Sequence, residues 1–98
     1  MEAGRYYMNT DPYLQFQAVL EKDPGNRDAL NYVINIATAR GLLTDALRWV
    51  DIALKHYHND HELLLKKMGI LEGLKRYSEA ARIAEHFYKS NNSRANKS

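Results

Sequence analysis

Residues 27–60 read RDALNYVINIATARGLLTDALRWVDIALKHYHND, and the stretch of equal length that follows, 61–94, reads HELLLKKMGILEGLKRYSEAARIAEHFYKSNNSR. Laid over one another, the two stretches match Leu30 with Leu64, Ile36 with Ile70, Leu43 with Tyr77, Asp45 with Glu79, Ala46 with Ala80 and Arg48 with Arg82. The register extends backwards. Tyr13, Phe16, Val19 and Leu20 fall on Leu47, Val50, Ala53 and Leu54, which in turn fall on Ala81, Ala84, Phe87 and Tyr88. These positions follow the spacing that one face of a helix requires. A period between about 20 and 50 residues marks a chain of units that cannot bury their apolar faces alone and must stack.

The remaining composition narrows the function classes. The chain has 98 residues, enough for one domain with a modest core. It has no cysteine, which excludes disulfides, thiolate metal sites and a cysteine nucleophile. Fourteen basic and twelve acidic side chains leave a net charge of +2, too small to imply a polyanionic partner. The apolar runs fall far short of the ~20 residues that span a bilayer, so no membrane partner is expected. Met1 to Thr10 lacks an apolar segment and does not read as a signal peptide. Compartment is unassigned: cytoplasmic by default, or periplasmic if a signal peptide has been removed.

The periodicity predicts an all-α fold of five helices, near residues 12–22, 27–40, 44–57, 61–73 and 77–90. Thr10 or Asp11 caps the first with Pro12 at its first position, and the helix stops before Pro24-Gly25. Asn26 caps the second, with Leu30, Val33, Ile34 and Ala37 as its buried stripe and Gly41 as its left-handed terminator. Thr44 opens the third, which buries Ala46, Leu47, Val50, Ala53, Leu54 and Tyr57. Leu64, Met68 and Leu71 carry the fourth. Ser78 caps the fifth, which buries Ala80, Ile83, Ala84, Phe87 and Tyr88. Small Ala46 and Ala80 let paired helices approach closely. Residues 1–11 form an N-terminal extension, 12–90 the repeat region and 91–98 a polar tail whose composition cannot build a core.

These stretches resemble tetratricopeptide repeats. Residues 27–60 and 61–94 look like complete units and 12–26 like the closing helix of a preceding one, including the Asp23-Pro24 turn. Lys67 and Gly69 depart from the family pattern in the second unit. The resemblance implies a right-handed solenoid of antiparallel helix hairpins. It further implies a protein-interaction module, either stand-alone or part of a larger protein, that holds a peptide or partner helix on its concave face and needs no cofactor. That face would carry Asp28, Asn31, Asn35 and Thr38 from the first unit, and Glu62, Leu65, Lys66, Gly69 and Glu72 from the second, with Trp49 on the opposite side. A clamp for a C-terminal carboxylate, known in this family, is matched by Asn35 and Lys66. It is contradicted by Asn31 and Glu62, where cations are wanted.

Other chemistries fit less well. His56, His58 and His61, with Asp60 and Glu62, are metal ligands by type, but they form no i, i+4 pair and sit in a polar turn. Trp49 and the tyrosines with Lys66, Lys67, Lys75, Arg76, Arg82 and Arg94 suit nucleic acid by type. Glu72, Glu79 and Glu85 interrupt those cations, and most tyrosines are assigned to buried stripes. No nucleophile triad, phosphate loop or paired carboxylates argue for an enzyme. The competing reading is a self-associating unit. It lacks a helix before Pro12 and a polar cap after Tyr88, so Phe16, Val19 and Leu20 at one end and Phe87 and Tyr88 at the other should be exposed. They would be covered by a second chain as a homodimer, or by Tyr6, Tyr7 and Met8 folding back.

Overall fold

The backbone of residues 11–97 is described by a computed structural model, with side chains described through Lys89. Five helices follow one another: α1 Pro12–Lys22, α2 Arg27–Ala39, α3 Leu43–His56, α4 His61–Gly73 and α5 Tyr77–Lys97. No strand occurs among the described residues. A cap by Thr10, and a cover by Tyr6, Tyr7 and Met8, lie outside them.

Local chemistry sets the helix starts. Asp11 Oδ1 accepts the Tyr13 N–H at 3.0 Å ahead of Pro12, Asn26 Oδ1 accepts the Ala29 N–H at 2.9 Å, and Asp60 Oδ1 accepts the Leu63 N–H at 3.0 Å. Each such cap is worth about 1 kcal/mol. Between the helices of each pair the turn is a Schellman motif. The Gly41 N–H donates to the Thr38 carbonyl (3.1 Å) and the Leu42 N–H to the Ala37 carbonyl (2.8 Å). The same bonds recur from Lys75 to Glu72 (3.0 Å) and from Arg76 to Leu71 (2.8 Å). Gly41 and Lys75 occupy the left-handed region at φ 78° and 64°. This turn feeds directly into the next helix, so two expected caps are displaced: α3 begins at Leu43 without a side-chain cap, ahead of Thr44, and α5 begins at Tyr77, ahead of Ser78. Similarly α5, expected to stop near residue 90, runs to Lys97.

The backbone repeats with the sequence. Arg27–Ala39 and His61–Gly73 start and stop one sequence period apart, as do the starts of α3 and α5 and the ends of α1 and α3. Each helix packs mainly on the helices before and after it in the chain, and the molecule extends 63 × 28 × 18 Å.

The core consists of Leu20, Ala29, Leu30, Val33, Ile34, Ala37, Ala46, Val50, Ala53, Leu63, Ile70, Leu71 and Ala80. Ala46 and Ala80 are buried as the close-packing argument requires. The stripe of α4 differs from expectation: Leu63 is fully buried, while Leu64 and Met68 are half-buried. Leu63 is the repeat counterpart of buried Ala29, a small residue that the apolar spacing passes over. Lys67 escapes the cost of its apolar position by reaching Asp51 on α3 at 2.8 Å. In α5, Ala84 and Tyr88 are exposed because no helix lies beyond them among the described residues.

The tyrosines and the open ends also need correction. Tyr32, Tyr77 and Tyr88 are exposed and Tyr13 and Tyr57 half-buried, so no described tyrosine is fully buried. At the N-terminal end Leu20 is buried, and Phe16 is half-covered by stacking on Tyr32 of α2 with centroids 4.4 Å apart. Val19 and Leu14 remain exposed there. At the other end Phe87 is half-buried, edge-on to His61 at 5.2 Å, which leaves Tyr88 as the expected exposed residue.

Candidate functional site

Helices α2 and α4 run past each other with a groove of about 460 Å³ between them. Positions 35, 38 and 39 of α2 and 65, 66 and 69 of α4 are adjacent or one helical turn apart, so each set forms one rim. Ile34 and Ile70 complete the apolar lining. Leu65 stands up as a wall, 52% exposed. One turn along the same rim Gly69 leaves a gap, because a Cβ built there meets no atom within 4 Å. Glycine in a helix interior costs roughly 0.5–1 kcal/mol against alanine, so the open space is held at some cost in helix stability.

Polar chemistry in the groove has a direction. Lys66 Nζ donates to Asn35 Oδ1 at 2.8 Å. An ammonium has no acceptor, so the amide oxygen must be the atom facing it, which leaves the Asn35 NH₂ and the remaining Lys66 protons as donors toward the groove. Thr38 donates its hydroxyl proton to the Ile34 carbonyl at 2.7 Å and keeps only lone pairs to offer.

Neighbouring charge is neutralised at one end. Arg27 reaches Asp60 at 2.9 Å and Glu62 at 3.4 Å, and its guanidinium lies 4.9 Å from the Tyr57 ring centroid. The hydrogen bond from Arg27, followed by that from the Leu63 N–H, holds the Asp60 carboxyl below the usual carboxylate range. Tyr57 in turn donates its hydroxyl to the Gly25 carbonyl, so the turn before α2 and the turn before α4 are tied together.

The expected concave-face residues divide accordingly. Asn35, Thr38, Leu65, Lys66 and Gly69 line the groove, with Lys66 half-buried rather than fully exposed. Asp28 and Glu72 are exposed outside its lining, and Glu62 is engaged by Arg27. Asn31 is half-buried, with a buried Oδ1 that accepts no hydrogen bond. The expected concave face omits Ile34, Ala39 and Ile70, which also line the groove. It misses Arg27 too, although a signal exists: Arg27 follows the cap Asn26 and pairs with Asp60, the repeat counterpart of that cap.

Across the molecule, Trp49 borders a second hollow of about 220 Å³ with Leu20, Pro24 and Ile52. Its Nε1–H donates to the Tyr13 hydroxyl oxygen at 3.1 Å, and Arg40 lies 5.6 Å from the Tyr13 ring centroid while pairing with Asp11 at 3.0 Å.

The polar turn is likewise dispersed. His56 abuts Gly25, His61 meets Phe87 and Asp60 is held by Arg27. Among the described residues no three His, Asp or Glu side chains gather as a metal site. Lys67, Arg76 and Lys89 are each paired with a carboxylate. No helix among the described residues is long and apolar enough to cross a membrane. Comparison with protein families, curated proteins and solved structures yields no match to this chain.

Proposed function

We propose that this chain is an interaction module of the tetratricopeptide type, a right-handed solenoid of helix hairpins that holds an extended peptide between α2 and α4. The observation that carries the reading is the pairing of Lys66 with Asn35 across a mostly apolar groove. Two donors side by side suit a peptide carbonyl or a terminal carboxylate, and the gap above Gly69 beside Leu65 suits a compact apolar side chain of that peptide. The recurrence of helix ends, caps and turn bonds at one fixed period supports the solenoid arrangement. Such an interaction role requires no catalytic group.

Selection of peptides from a random display library on the full chain tests this. Asn35→Ala and Lys66→Glu should each weaken the selected peptides about tenfold, the loss of a hydrogen bond to a charged or desolvated group. At the exposed Asn35 the substitution should shift stability by no more than about 0.5 kcal/mol. Trp49→Ala should leave peptide affinity unchanged. Peptides that respond to Trp49 and ignore Asn35 would move the site to the opposite face.

Self-association is the second reading, and the exposed Val19 and Tyr88 favour it. Its N-terminal half is weakened by the cover that α2 gives Phe16.

A further inference from the structure

Helices α3 and α5 occupy equivalent places in successive repeats, yet among the described residues α3 is packed on both sides and α5 on one. The face that α3 turns to α4 is marked by two contacts: Asp51 pairs with Lys67 at 2.8 Å, and a Cβ on Gly73 would lie 2.8 Å from Leu43 Cδ1. Helical spacing adds Leu47, Val50 and Leu54 to that stripe. Val50 is fully buried and the three leucines half-buried.

Moved forward by one repeat, the stripe becomes Tyr77, Ala81, Ala84, Glu85 and Tyr88. All five are exposed, with Tyr77 at 62% and Tyr88 at 66%. Two tyrosines thus flank a floor of two alanines, where another backbone can approach closely. Glu85, the counterpart of Asp51, pairs among the described residues with Lys89 of its own helix at 3.4 Å. Between α3 and α4 the chain turns at Tyr57, whereas at the equivalent place α5 continues as helix through Lys97.

We propose that this face of α5 docks one amphipathic helix of a partner protein, laid on α5 as α4 lies on α3, with a lysine or arginine in its apolar stripe opposite Glu85. The charge follows from Lys67, which is the residue that meets Asp51 in the equivalent contact. This surface is separate from the groove between α2 and α4, and the proposal does not depend on a peptide binding there.

The test uses a labelled synthetic peptide of residues 59–76 as probe, held helical by a lactam between Glu62 and Lys66 and checked by circular dichroism. It is titrated into the full chain and followed by fluorescence anisotropy. The expected result is saturable binding that Ala84→Arg and Glu85→Lys each weaken about tenfold or more, with a peptide carrying Lys67→Glu regaining most of the loss on Glu85→Lys. Both substituted positions are exposed, and an unchanged melting curve verifies that the chain stays folded. Absence of binding by the helical probe, or binding indifferent to both substitutions, overturns the proposal. Sedimentation gives the remaining outcome. A dimer of the unmodified chain that Ala84→Arg disperses would make a second copy the occupant and overturn the assignment to a partner helix.

Discussion

The unit made of α2 and α3 and the unit made of α4 and α5 share a backbone and differ in what fills it. Both have a capping side-chain oxygen at the start, the same two turn bonds in the middle and a left-handed residue between helices. The first fills this frame with Leu30, Val33, Ile34 and Ala37, all buried. The second places half-buried Leu64, Lys67 and Met68 at the first three of these positions and Leu71 at the fourth, and carries lysine instead of glycine at the left-handed turn. Caps and turns can therefore specify a path that the core supports unequally. Stability should be concentrated in the first unit.

The largest test of that inequality is deletion of equivalent leucines. Leu30→Ala should cost about 2–5 kcal/mol, the range for a fully buried leucine, and Leu64→Ala less than half as much, read from urea midpoints at constant slope. Equal losses would show that Leu64 is packed as tightly as Leu30 and that the two units are held alike. Next comes overpacking. Ala46→Leu and Ala80→Leu should each cost about 1–3 kcal/mol, with Ala46 the more sensitive because α3 is enclosed on two sides and α5 on one. Unchanged melting temperatures for both would refute the close approach of paired helices.

How much of this is legible without the fold depends on the kind of residue. Asp11, Asn26 and Gly41 can be placed from neighbouring residues alone, whereas Thr44 and Ser78 read as caps but lie inside helices that start one residue earlier. The apolar stripe of α2 is equally readable, since all four of its residues face packed helices. Spacing cannot tell whether a facing helix exists, which is why it assigns Ala84 and Tyr88 to a core they do not join. Nor can it find Lys67 with Asp51, or Lys66 with Asn35, because those bonds depend on distances between helices far apart in sequence. The groove is half legible: its polar rim is expected from the resemblance to tetratricopeptide repeats, and its floor of Ile34 and Ile70 comes only from packing.

Smaller effects sharpen the comparison at the turns. Gly41→Ala should destabilise by about 1 kcal/mol, since a side chain at φ 78° crowds the backbone carbonyl. Lys75→Gly should stabilise by a similar or smaller amount for the same reason at φ 64°. Thermal unfolding of the pair measures both, and effects of the same sign would contradict the equivalence of the two turns.

The smallest effect lies at the junction between the units and appears in acid. Because Arg27 lowers the Asp60 carboxyl below its unfolded-state value, the carboxylate stabilises the fold above the ordinary carboxylate range, and that contribution is lost as the pH falls through the depressed folded value. Asp60→Asn should reduce the acid-side slope of stability against pH while leaving the neutral-to-alkaline part flat. A slope unchanged by the substitution would assign the acid dependence elsewhere, with Asp11 beside Arg40 and Glu79 beside Arg76 as the other lowered carboxyls.

The concentration of packing on helices adjacent in the chain has a kinetic consequence. Each helix pair is closed by a short connection, so the entropy lost before the first reward is small. Chains of this low contact order fold in microseconds to milliseconds. During synthesis the pair α2 and α3 can settle as soon as His56 has emerged, before α4 has left the ribosome, and can then serve as the template on which the weaker pair forms.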